Sequence, residues 1–257
     1  MGFTFGLGLT VASGLGWVGA DALRKGLAER LTALELAVGL HVCQLPIIAL
    51  GLWVGLQLGD SSELAEILSW HLQSQYWLLA LPSIACNAMA NLLFVRALQL
   101  SDLSLTIPYL SLTPVLAVLS GWLVLGEAPG ILGLAGVVVI AVGALVLNPS
   151  TEGVSGFHPL RALKEERGSL AMLGVACLWS ISVAFDKRAL QFSSPMTHAA
   201  VLAVTGWFML EGFRRRRSSA SLVERVRPIF GLLMGTTLVI TVALLAQLWA
   251  YHYVNVA

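Results

Sequence analysis

Asn87 and Asn91 stand four residues apart in a predominantly apolar stretch. That spacing puts both carboxamides on one face of a helix. An uncharged amide in an apolar setting needs a hydrogen-bond partner. Two on one face can line a polar cavity, or they can bond neighbouring helices and nothing more. Pro108 and Pro114 bracket Tyr109, Ser111 and Thr113. Each proline removes a backbone donor and crowds the preceding turn, so freed carbonyls and nearby hydroxyls can face a cavity; the alternative is a plain packing kink. Gln247, Trp17, Trp179 and Trp249 complete the set, as one more amide and three aromatic walls or interface anchors. Amides, hydroxyls and ring faces suit recognition of a solute rather than bond-breaking.

The ionisable groups fall differently. Asp21, Arg24, Arg96, Asp186 and Lys187 lie near the ends of apolar runs, where long side chains reach toward the membrane surface. Glu35 is also near a boundary. His41 is deeper; its charge changes near neutral pH, which suits a proton relay, but a neutral, hydrogen-bonded histidine is the expectation. With no carboxylate expected at depth, proton coupling has no support and a cationic cargo is disfavoured. Glu127 is expected to cap the helix that follows it, and Glu211 to pair with Arg214. The run Arg214–Arg217 reads as a topology anchor, with attraction to anionic lipid as the alternative.

Catalysis finds no motif. There is no Walker loop, no His-Glu-x-x-His and no Gly-x-Ser-x-Gly. Cys43, Cys86 and Cys177 are odd in number, lie in apolar runs and lack metal spacing, so they read as buried thiols. The expectation is no enzyme, no cofactor and no metal.

These residues must be positioned by membrane helices. The sequence is 57% apolar and 11% charged, against about 25% charged in an ordinary soluble domain. Its 15 Lys+Arg and 14 Asp+Glu balance, so no nucleic-acid partner is indicated. Hydropathy marks eight runs, approximately 3–22, 32–57, 77–100, 105–126, 130–148, 170–190, 197–213 and 229–251, each near the ~20 residues needed to cross a bilayer. Open sheets leave backbone groups unpaired in lipid, and the alternation of a barrel is missing. The fold class is therefore an all-α membrane protein, a polytopic helical bundle of about eight transmembrane helices, its partners the lipid bilayer and a small-molecule solute. The first run has no basic segment before it and reads as a retained helix. Residues 58–76 are acidic, with Leu64, Ile67, Leu68 and Leu72 at helical spacing, as in an interfacial helix or an extended start to span three. Residues 149–169 read as a linker. Counted over alternate loops, 13 of the 15 Lys and Arg fall on one side, which puts the N-terminus outside. Gly51, Gly55 and Gly59, and Gly231 and Gly235, recur every four residues; intramolecular packing is expected of them, and a homodimer is open.

The sequence also repeats. Arg24-Lys25-Gly26-Leu27 and Lys187-Arg188-Ala189-Leu190 close spans one and six at an offset of 163, and Trp17 and Trp179 match one residue out of register. Spans three and eight correspond at an offset of 153, which places Gln247 against Phe94. Five spans separate the two starts, so the second unit is inverted, the pattern of secondary transporters with a site between the halves.

The stretch from Ser104 to Glu127, SLTIPYLSLTPVLAVLSGWLVLGE, resembles the EamA domain of the drug/metabolite transporter superfamily. Gly133, Gly136, Gly143 and Asn148-Pro149 fit as well, as does Ala176 to Lys187 through Trp179. The resemblance implies two inverted five-helix repeats, both ends in the cytoplasm, and export or exchange of small metabolites. On that basis residues 1–149 form the first repeat, 150–169 the linker and 170–257 an incomplete second repeat of three helices. The expected function is a secondary transporter of small organic metabolites working by alternating access, multi-pass in the cell (inner) membrane. The alternative is a truncated or non-transporting membrane protein that needs a partner or two more helices. The expected cavity residues are Trp17, Asn87, Asn91, Pro108, Tyr109, Ser111, Thr113, Pro114, Trp179, Gln247 and Trp249.

Overall fold

A computed structural model describes residues 2–57, 74–127, 130–147, 167–217 and 221–253. Among these there are helices and turns and no strand. In chain order the helices are α1 (Gly2–Ala28), α2 (Ala33–Gln57), α3 (Ser74–Leu100), α4 (Leu103–Leu110), α5 (Thr113–Leu125), α6 (Ile131–Leu147), α7 (Arg167–Ala189), α8 (Pro195–Arg217), α9 (Leu222–Val226) and α10 (Phe230–Ala250). A 3₁₀ turn, Arg227–Ile229, joins the last two. Five stretches are long and apolar enough to cross a membrane: Ala33–Gly55, Ser74–Leu100, Pro108–Leu125, Arg167–Ala189 and Leu222–Ala250. Ile131–Gly143 is a shorter apolar helix. With α1 and α8, of 27 and 23 residues, they make the eight rods of the hydropathy pattern. The protein is an integral, multi-pass, all-α membrane protein. The expected interfacial helix at 58–76 and the linker at 149–169 lie almost wholly outside the described residues.

Local chemistry explains where the rods start and break. Thr32 and Glu35 form a capping box at the start of α2: Thr32 N–H donates to Glu35 Oε2 at 3.0 Å, and Glu35 N–H to Thr32 Oγ1 at 3.3 Å. Span four is broken at Ser111 and Leu112, between α4 and α5. Pro114 has no N–H to give the Leu110 carbonyl, and Thr113 Oγ1 donates to that oxygen at 2.6 Å instead. Ser111 Oγ serves the Pro108 carbonyl at 2.7 Å. The hydroxyls beside the prolines thus satisfy the backbone that the break sets free. Glu127, expected to cap α6, is held by an ion pair. It pairs with Lys187 of α7, Nζ to Oε1 at 2.7 Å, because α7 runs alongside the turn that carries it.

The tightest packing is between α3 and α7 and between α1 and α10. Both pairs are antiparallel: Ser101 meets Gly168 and Leu93 meets Gly174, while Phe5 meets Tyr253 and Ser13 meets Ala243. Exchanging α1 with α7, α2 with α8 and α3 with α10 maps one pair onto the other and leaves the α2–α8 contact in place, as an inverted repeat requires. Glycines allow the close approach. A Cβ on Gly16 would lie 2.8 Å from that of Ala243, and one on Gly206 would lie 2.7 Å from His41 Nε2. Of the periodic glycines, Gly51 packs on Met196, whereas Gly231 and Gly235 meet no neighbour among the described residues, contrary to the packing expected of them.

The main apolar cluster joins Leu27, Leu36, Phe94, Leu98, Met172 and Leu233, drawn from α1, α2, α3, α7 and α10. Outside, Leu15, Leu123, Leu132 and Val139 are exposed, as lipid-facing side chains must be. Cys43 is buried, but Cys177 is on the surface; an apolar run marks a membrane helix without saying which side faces lipid.

Candidate functional site

Between the two antiparallel pairs lies a cavity of about 550 Å³, walled by α1, α2, α3, α7, α8 and α10 and by the break between α4 and α5. Trp17, Asn87, Asn91, Ser111, Thr113, Pro114, Trp179 and Gln247 are on its wall. Pro108, Tyr109 and Trp249 are elsewhere. Pro108 and Tyr109 are buried, and Tyr109 belongs to the main apolar cluster. Trp249 is 42% exposed and stacks on His252; it is two residues from Gln247, and residues two apart on a helix do not share a face.

Two aromatic corners close one side. Trp17 Nε1 donates to Gln247 Oε1 at 2.8 Å, and the Gln247 amide donates in turn to the Tyr251 hydroxyl. Trp179 packs on Phe94 with ring centres 5.4 Å apart, and the two tryptophans meet at 6.4 Å. These corners are the repeat mates inferred from the offsets of 163 and 153.

The polar wall runs along α3. Asn91 Nδ2 donates to the Asn87 carbonyl at 2.9 Å, and Asn87 Nδ2 donates to Ser83 Oγ at 3.3 Å and to Ser182 Oγ. Ser83 and Ser182 both donate to Asp186, the latter at 3.2 Å. Asp186 Oδ1 lies 2.9 Å from His198 Nε2, and His198 Nδ1 lies 2.9 Å from the Tyr76 hydroxyl. His198 and Tyr76 are fully buried. Across the cavity, His41 Nδ1 is 2.8 Å from the Ala37 carbonyl, the hydrogen-bonded state expected of it.

The expectation that Asp21, Arg24 and Asp186 reach outward to the membrane surface is overturned. They are buried, and all three line the cavity. α1 and α7 continue to Ala28 and Ala189, so these residues sit on the inward face before the helices end. Two carboxylates, not none, face the interior. Arg24 Nη1 is 3.4 Å from Asp21 Oδ1, and its Nη2 is 3.4 Å from Asn91 Oδ1. Its guanidinium lies over Trp17 and Phe94, 5.6 and 5.3 Å from the ring centres. Arg96, by contrast, is exposed.

Gln44, Ser182, Ser83, His198 and Tyr76 were missed from sequence. A signal existed for most of them. Polar residues recur three or four apart within apolar spans at Asp21 and Arg24, His41 and Gln44, Ser83 and Asn87, and Ser182 and Asp186. This is the rule that selected Asn87 and Asn91.

An apolar helical bundle with an inverted repeat and a polar cavity at the meeting of its halves defines the class of multi-pass membrane proteins that handle small solutes. The sequence profile described as the EamA-like transporter family matches residues 1–148, and the chain belongs to that family. Neither a curated protein nor a solved structure gives a match. Family members are membrane transporters of the drug/metabolite type.

Proposed function

We propose that this protein is a secondary transporter that moves a small organic metabolite across the cell's inner membrane by alternating access. The cavity carries this reading. Its volume of about 550 Å³ falls in the ~300–1,000 Å³ range of small-molecule sites, and its walls come from both halves of the repeat. Rocking the α1–α10 pair against the α3–α7 pair would open the Asn87 and Asn91 wall first to one side and then to the other. The charge bias of the loops supports an N-terminus outside. The test is uptake and efflux by vesicles containing the purified chain, with a mixed panel of labelled metabolites. Saturable flux of one compound, competed by its analogues, supports the reading and names the cargo class. Absence of flux with the protein folded and inserted contradicts it.

A further inference from the structure

We infer that Arg24 is the recognition group for a carboxylate on the cargo, so that the solute is a monoanion with an apolar or aromatic body. This rests on the cavity being the solute site proposed above. Arg24 is 3% exposed and on the cavity wall, yet its guanidinium is poorly satisfied. Nε has no hydrogen-bond partner among the described residues. The contacts of Nη1 to Asp21 and Nη2 to Asn91 are both 3.4 Å, well beyond the ~2.7–2.9 Å of charge-assisted bonds. A guanidinium presents five N–H donors in a rigid fork, and leaving them unmet in a low-dielectric site is costly. The same protein shows what full satisfaction looks like: Arg214 holds Glu211 through Nε and Nη2 at 2.7 and 2.8 Å.

The surroundings narrow the ligand. Trp17 and Phe94 lie against the guanidinium, and its planar fork matches a planar, two-oxygen acceptor. Trp17 and Trp179 offer an apolar wall beside it. The other charged or titratable groups on the wall are Asp21, Asp186 and His41. Two carboxylates there oppose a dianion such as a phosphate monoester about twice as strongly as a monoanion, and one added carboxylate at Arg24 meets a cation that Asp21 holds only loosely.

The test is equilibrium binding of labelled phenylacetate, indole-3-acetate and hexanoate, each beside its primary amide, to the purified chain in lipid nanodiscs. Acid and amide share shape and differ in charge. The acids should bind saturably, and the best should bind at least about tenfold tighter than its amide, the effect of one charged hydrogen-bond pair. Arg24→Gln should abolish that difference, and Arg24→Lys should keep part of it because the charge remains. Equal binding of acids and amides, no saturable binding of any acid, or an unchanged preference in a folded Arg24→Gln protein overturns the proposal. The comparison of acid with amide in the unaltered protein decides the matter even if the variants fail to fold. Saturable flux of neutral solutes that acids do not inhibit would keep transport and overturn this site. Acid binding without flux would keep the site and overturn transport.

Discussion

The two halves of the cavity are built by the same sequence pattern and finished differently. On α7, Asp186 reaches the wall already satisfied by protein: Ser83, Ser182 and His198 hydrogen-bond to it, and Tyr76 backs the histidine. On α1, Asp21 and Arg24 are left in a loose contact at 3.4 Å, with Arg24 Nε unmet. The aromatic corners diverge in the same way. Trp179 faces an apolar Phe94, while Trp17 donates to Gln247 at the equivalent place. The flanks differ too: α4 and α5 pack on α7, and among the described residues no helix holds the matching place beside α1. One half is an internally satisfied scaffold. The other has polar capacity to spare, which is where a solute can be held.

The two halves should differ most in their response to a change at Asp186. Asp186→Ala leaves two serines and His198 without their shared partner, and should destabilise the protein by about 3–5 kcal/mol, the cost of breaking a buried pair. Thermal unfolding in detergent checks this; an unchanged midpoint would mean that the α7 side is no more satisfied than the α1 side. Next comes the crossing of α2 and α8, which the repeat maps onto itself. Gly206→Ala puts a methyl 2.7 Å from His41 Nε2, and should cost about 1–3 kcal/mol as overpacking while displacing His41 from the cavity wall; chemical denaturation and histidine NMR would read the two effects. A smaller change makes the corners alike. Gln247→Leu removes the acceptor of the Trp17 indole, as Phe94 already does for Trp179, and should cost about 1 kcal/mol, with a shift in tryptophan fluorescence. Smallest is Lys187→Ala. Its bond to Glu127 is partly exposed, so loss of about 0.5 kcal/mol is expected, with no change in solute binding.

Much of this architecture is legible in the sequence because lipid imposes it. Apolar runs near the length of a bilayer become helices, the Lys/Arg motif after spans one and six marks the inverted repeat, and Pro114 predicts the break that Thr113 then repairs. Asn87 and Asn91 are visible because their spacing fixes a shared face. What the sequence hides is which way a polar group near a span end turns. Asp21 and Asp186 lie about where a surface carboxylate would, and only packing against α3 and α8 shows that they face inward. Pro108, Tyr109 and Trp249 show the converse. Neighbours in sequence of true wall residues, they point away by the turn of the helix. The Asp186 contacts with Ser83 and His198 join distant segments, and no local pattern announces them.

On the proposed function, the polar space between the two helix pairs is the solute's path. The most direct test measures flux in vesicles after Asn87→Ala and Asn91→Ala are combined, with membrane insertion and thermal unfolding followed alongside. Flux should disappear while the protein remains inserted and folded. Undiminished flux in the folded double variant would contradict the account and move the path to another face of the bundle.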